Sequence, residues 1–114
     1  MLFRSGNTDW TISGNSIYIA AFAPSSITLN GITINNSSSG NNFQITGNYI
    51  GGATSLAASG ITDLSAAGTN VFNGISLSVG TATASLVQNN TIARVFCNTQ
   101  NGGTFNGVDR KSVV

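Results

Sequence analysis

Side chains able to do chemistry are few in this chain of 114 residues, which carries four Lys and Arg, three Asp and Glu, one Cys and no His. A zinc site, a Ser-His-Asp triad and a di-carboxylate metal cage all need groups that it lacks. Its internal charges are Asp9, Asp63 and Arg94. A carboxylate beside a guanidinium can move a proton or stabilise developing charge, but no Asp-Asp pair or Asp-x-Asp occurs. The three read as solvated surface charges, and no catalytic residue, metal ligand or cofactor is assigned. Trp10, Tyr18 and Tyr49 are the side chains that could offer an aromatic face to a sugar. Cys97 cannot form an internal disulfide by itself and reads as a small core hydrophobe.

Composition narrows the classes further. Charged residues make up 6% of the chain, against about 25% in ordinary soluble domains. Asn, Ser, Thr and Gly together make up half of it. A net charge of +1 without a basic cluster leaves no electrostatic footprint for nucleic acid. No apolar run reaches the roughly 18 residues of a membrane-spanning helix.

The remaining charges are concentrated at the ends, with Arg4 in Met1–Ser5 and Arg110 and Lys111 in Asp109–Val114. Both terminal peptides resemble translated sequencing adapter, back-translating to one adapter core in opposite orientations. On this reading 1–5 and 109–114 are scars to be left out of fold reasoning, and 6–108 is a fragment of a longer protein. Its net charge is −1, Arg94 standing against Asp9 and Asp63.

The elements that position the candidate residues follow from an internal repeat. Trp10-Thr-Ile-Ser-Gly-Asn-Ser-Ile17 aligns with Phe43-Gln-Ile-Thr-Gly-Asn-Tyr-Ile50 and with Ser85-Leu-Val-Gln-Asn-Asn-Thr-Ile92, at offsets of 33 and 42 residues. A second motif alternates with it: Leu29-Asn-Gly-Ile-Thr-Ile34, Phe72-Asn-Gly-Ile-Ser-Leu77 and Phe105-Asn-Gly-Val108, at offsets of 43 and 33. Two motifs thus share one period and one insertion, which falls in the Ala-, Gly-, Ser- and Thr-rich stretch 51–70.

Apolar residues spaced by two, as in Ile32 and Ile34 or Ile75 and Leu77, make each motif a strand. Good helix formers such as Glu, Lys and Arg are nearly absent. Strands of four or five residues between Gly-Asn or Asn-Gly corners predict an all-β chain wound as a parallel β-helix (β-solenoid) of about three coils, each burying its apolar residues against the next. Asn tolerates the left-handed backbone of a sharp corner. Asn15, Asn48 and Asn90 fall at one corner, where stacked amides would form a ladder. Of the formal glycosylation sequons at Asn35, Asn36 and Asn89, the corner Asn89-Asn-Thr91 is better explained by the ladder.

The same alignment sorts the aromatics. Trp10 matches Phe43, which turns it toward the core or a stacked aromatic row. Tyr49 matches Ser16 and Thr91, which turns it outward and makes it the better candidate for ligand contact. Thr81-Ala-Thr83 would suit a flat ice-binding array only if stacked on a copy of itself, but the earlier repeat has Ser37-Ser-Ser-Gly-Asn41 there.

The paired motifs resemble the right-handed parallel β-helix repeat of pectate-lyase-like proteins and of very large bacterial surface and secreted proteins. The stretch Phe72–Phe96 is most similar to the latter. The resemblance spans Trp10–Val108 and implies a right-handed coil, export to the bacterial surface or medium, and a structural or adhesive role. Carbohydrate or another cell-surface ligand and the flanking coils of the same chain would then be its partners. It implies as an alternative a scaffold fragment of a polysaccharide lyase or glycoside hydrolase. Lyases of this fold use acidic calcium ligands with a basic catalytic residue, and the related hydrolases clustered Asp; Asp9, Asp63 and Arg94 do not match either pattern. A catalytic set would therefore lie outside this segment. An isolated fragment with two uncapped ends is expected to aggregate or fold poorly.

Overall fold

Alternating aliphatic and hydroxyl or amide side chains form strands throughout the structure, a computed structural model that describes residues 2–4, 8–19, 26–36, 40–64, 68–97 and 102–112. In chain order the strands are β1 (Leu2–Arg4), β2 (Thr11–Ser13), β3 (Ser16–Ile17), β4 (Thr28–Asn36), β5 (Gln44–Thr46) and β6 (Tyr49–Ile50). They continue as β7 (Thr62–Leu64), β8 (Val71–Val79), β9 (Leu86–Gln88), β10 (Thr91–Ile92), β11 (Val95–Cys97) and β12 (Thr104–Ser112). One 3-10 turn, Ser55–Ala57, stands between β6 and β7. No α-helix occurs among the described residues, so none is long and apolar enough to cross a membrane.

The strands form four separate, wholly parallel sheets: β1-β4-β8-β12, β2-β5-β9, β3-β6-β10 and the pair β7-β11. Register follows the repeat. Ile12 lies opposite Ile45 and Ile45 opposite Val87, while Ile17, Ile50 and Ile92 line up in the next sheet. In the long sheet, Leu29, Phe72 and Phe105 form one column and Ile32, Ile75 and Val108 another. The chain is therefore all-β, with three rows of strands whose equivalent positions stack.

Burial is greatest in the middle row. Ile45, Ile50, Leu64, Phe72 and Ile75 are buried, whereas Ile17 and Ile92, on either side of Ile50, are only partly so. Val108, next to the fully buried Ile75, is 53% exposed. A row in this arrangement buries apolar area only against its neighbours, and complete burial of one such side chain is worth about 1.5–3 kcal/mol.

The long strands correct one expectation. β4, β8 and β12 each run nine residues straight through their Asn-Gly pairs, so these pairs are not corners. The glycines serve close approach instead. A Cβ on Gly74 would stand 2.6 Å from both the Gly107 carbonyl oxygen and Ile92 Cδ1, and one on Gly31 would stand 2.7 Å from Ile50 Cγ2. Corners are made by the Gly-Asn motif: Gly14 and Gly47 (φ 65°) and Asn89 (φ 55°) all adopt the left-handed conformation. There glycine's backbone freedom is the requirement, since a Cβ on Gly14 or Gly47 would meet nothing within 4 Å.

The insertion lies within the stretch 51–70. The Gly52 and Thr62 amides both donate to the Arg94 carbonyl, at 3.3 and 2.8 Å, so residues 53–61 leave and rejoin the strand path at one point. Thr62 Oγ1 closes the neck by donating to the Gly52 carbonyl at 2.8 Å. Of the terminal peptides, Leu2–Arg4 pairs with β4 and Asp109–Ser112 continues β12 against β8. Met1, Ser5 and residues 113–114 lie outside the described residues.

Candidate functional site

The corner after β2, β5 and β9 brings Asn15, Asn48 and Asn90 together. Asn15 donates to Asn48 Oδ1 from its backbone amide at 3.0 Å and from Nδ2 at 2.9 Å. Asn48 makes the same pair of bonds to Asn90 Oδ1, at 3.0 and 2.8 Å. Each amide also reaches back one row, Asn48 Nδ2 to the Ile12 carbonyl at 2.9 Å and Asn90 Nδ2 to the Ile45 carbonyl at 2.8 Å. Asn48 is fully buried, and these bonds satisfy its amide completely.

Two further Asn positions escape the sequence reading. Asn30, Asn73 and Asn106 form a second column on the long sheet, Asn106 Nδ2 donating to Asn73 Oδ1 and Asn73 Nδ2 to Asn30 Oδ1, each at 2.8 Å. Its signal is the recurrence of Asn-Gly at the repeat offsets, which the assignment of Asn-Gly to corners obscures. Asn70 is buried ahead of β8, accepting from the Ile27 amide at 3.1 Å and donating to the Leu64 carbonyl at 3.2 Å. It sits at the edge of a loop-like stretch and has no Asn at the matching position of either neighbouring row, so no pattern marks it.

Tyr49 lies in β6 between Ser16 and Thr91 and is 36% exposed. The inserted loop passes near the same sheet, the Leu56 amide donating to Ser16 Oγ at 2.7 Å. Tyr18, Leu56 and Ile61 are also exposed. Trp10 does not face the core: it is 40% exposed, while its register partner Phe43 is buried. Among the described residues, β5 beside Phe43 has a strand on both sides and β2 beside Trp10 on one. Also among the described residues, Phe72 stacks on Phe105, their ring centroids 5.2 Å apart.

The charged residues lie on different elements, Asp63 and Arg94 on neighbouring rows where the Thr62 amide donates to the Arg94 carbonyl. Asp9 accepts from Thr8 Oγ1 at 2.7 Å and from Asn42 Nδ2 in the next row. Those two hydrogen bonds, Thr8 first, hold its carboxyl below the usual 3.8. Asp63 lies in β7 opposite Phe96, and Arg94 occupies a corner with φ 56°. No cluster of three or more His, Cys, Asp or Glu able to hold a metal occurs among the described residues. Thr81–Thr83 is an exposed bend rather than a strand face. Cys97 Sγ packs 3.8 Å from the Asn70 carbonyl at the core's margin. Of the sequons, Asn89 is an exposed corner, and those at Asn35 and Asn36 run into residues 37–39, outside the described set.

Comparison with protein-family models, curated proteins and solved structures finds no match. The arrangement on view defines a class by its physics alone: an all-β chain of stacked parallel rows, tied at its joints by columns of asparagine. Its chemistry is hydrogen bonding between like side chains, together with exposed tyrosines, Tyr49 among them beside an inserted loop.

Proposed function

We propose that the chain is a segment of a right-handed parallel β-helix that serves a structural or adhesive role in a larger, exported bacterial surface protein. One observation carries the reading: strands stack in parallel at the offsets of the sequence repeat, Thr11 opposite Gln44 and Gln44 opposite Leu86, 33 and 42 residues on, and Thr28 opposite Val71 and Val71 opposite Thr104, 43 and 33 residues on. Rows stacked in this way build a stiff rod whose length scales with repeat number and whose charge stays low. The loop 53–61 and Tyr49 project from one side of such a rod, where a sugar or other cell-surface ligand would meet an aromatic face. The terminal peptides 1–5 and 109–114 are read as adapter-derived additions.

Sequencing the parent gene through both ends tests this reading. Further Asn-ladder repeats and a surface-sorting segment are the expected result, with native coding sequence departing from this chain at 1–5 and 109–114. Neighbouring repeats that carry paired carboxylates with Lys or Arg would replace it with the alternative, the scaffold of a carbohydrate-active enzyme.

A further inference from the structure

Residues 53–61 form a unit that holds itself together. The Ala53 amide donates to the Ser59 carbonyl at 2.9 Å, the Ser59 amide to Thr54 Oγ1 at 2.9 Å and the Ala58 amide to the Ser55 carbonyl at 3.1 Å. The neck is pinned to the third row, where the Gly52 and Thr62 amides share the Arg94 carbonyl. The tip, Ser55–Ala57, lies against β3 and β6 and reaches the first row. There the Leu56 amide donates to Ser16 Oγ at 2.7 Å. Among the described residues this is the one hydrogen bond that 53–61 makes outside itself.

That hook is held at a cost in the backbone. Leu56 and Ala57 both adopt the left-handed conformation, at φ 56° and 50°. Crowding at Cβ makes it unfavourable for any residue but glycine, and such residues persist where the contacts around them over-determine them. Here the contacts are few. Leu56 is 54% exposed and gives little apolar grip, while Ala57 is buried but has only a methyl to contribute. One hydrogen bond and one methyl therefore oppose two left-handed residues, terms of similar size and opposite sign. Gly52 and Gly60, at φ 73° and 67°, flank the unit and can absorb a change of backbone angle.

We infer that residues 53–61 are a strap with two states, closed on Ser16 as in this structure and open with its neck intact. Closed, the strap ties the second row to the first across the outside of the sheet and occupies Ser16 Oγ. Open, it frees that hydroxyl beside Tyr49, the register partner of Ser16, and sheds the left-handed strain. The strap thereby controls access to the β3–β6 face, and anything that competes for this face has one hydrogen bond at Ser16 to replace. The device depends on the loop, its neck and the outer side of two adjacent rows, so it does not rely on either end of the stack. It also stands apart from the surface-protein reading, because the strap opens whether or not Tyr49 meets a ligand.

Amide hydrogen exchange of the full chain tests it. The Leu56 amide reports the strap, and the Tyr49 amide, bonded to the Asn15 carbonyl at 2.8 Å, reports the sheet. In the wild type Leu56 should exchange by local opening, faster than Tyr49 and with little dependence on added urea, since the opening exposes little surface. Ser16→Ala removes the hook and should speed Leu56 exchange about fivefold, the equivalent of one hydrogen bond, with Tyr49 unchanged. Ser16→Thr keeps a hydroxyl, at a position where the third row carries Thr91, and should bring the rate back toward the wild type. Leu56→Asn puts a residue that tolerates the left-handed conformation in place of an exposed side chain. It should slow exchange about threefold, after correction for the intrinsic rate of the new sequence. A Leu56 amide that exchanges only at the rate and urea dependence of Tyr49 would overturn the inference. So would Ser16→Ala without effect on it, Ser16→Thr as fast as Ser16→Ala, or Leu56→Asn without a slower rate. Should Ser16→Ala disturb the sheet, its Tyr49 amide reveals it, and Leu56→Asn decides the outcome by itself.

Discussion

The two asparagine columns look alike in sequence, each an Asn beside a Gly at the repeat offset, yet they do different work. Asn48 is fully buried, and its amide bonds main-chain groups of the first row and the side chain of the third. Asn73 lies on the outer side of a continuous strand, and its side chain bonds Asn30 and Asn106. In the first column the side chain takes the place of main-chain bonds that a corner breaks; in the second the main chain already has its sheet partners. An asparagine ladder is therefore structural where the backbone turns, and an accessory where it runs straight.

The largest test of that contrast is Asn48→Ala. It strands the Ile12 carbonyl and the Asn15 amide in a buried corner, and unsatisfied groups of this kind cost about 1–3 kcal/mol each. Urea unfolding at one fixed, low protein concentration should show a loss of about 3 kcal/mol or failure to fold. A loss under about 1 kcal/mol would mean that the corner holds without its ladder. Gly74→Ala comes next. Its Cβ would press on the Gly107 carbonyl and Ile92, and overpacking costs about 1–3 kcal/mol. Gly107→Ala in the third row is the matched control, since its Cβ would meet nothing within 4 Å, and should change stability by less than about 0.5 kcal/mol. Asn73→Ala should cost only about 1 kcal/mol in the same assay, because the strand it leaves keeps its ladder of main-chain bonds.

Which parts of this were legible in the sequence follows from what repeats. Ile12, Ile45 and Val87, or Ile32, Ile75 and Val108, recur at fixed offsets with alternating spacing, so strand character and stacking register could be read directly. The corner Asn15, Asn48 and Asn90 could be read for the same reason. Asn-Gly in the second motif could not, because the dipeptide suits a turn and a close approach equally. Only the neighbouring wall, Ile50 against Gly31 and Ile92 against Gly74, decides for the latter. Trp10 was placed inward from its match to Phe43, an inference that holds only where a further row covers the residue. Asn70 has Ile27 and Gly103 at its matching repeat positions, so no recurrence marks it. Ligand chemistry is legible at neither level, since Tyr49, 36% exposed, is less open than Tyr18 or Trp10.

The smallest expected effect comes from a third cross-row contact, the one in which a carboxylate replaces an amide. Asp9 accepts from Thr8 and from Asn42 in the next row, and both bonds favour its ionised form, holding its carboxyl below 3.8. A depressed folded-state value means that ionised Asp9 stabilises the fold above the unfolded value of 3.8. That contribution is lost as pH falls through the lower folded value. The pair is exposed and solvent-screened, so the expected acid-side decline is slight. Asp9→Asn turns the contact into one more rung of the Asn15 type, with Oδ1 still able to accept from Asn42 and no charge to lose. Thermal unfolding between pH 3 and pH 6 should therefore fall off less in Asp9→Asn than in the wild type. Equal slopes would show that the carboxylate contributes nothing that an amide cannot, and that cross-row contacts outside the two columns are held by the backbone alone.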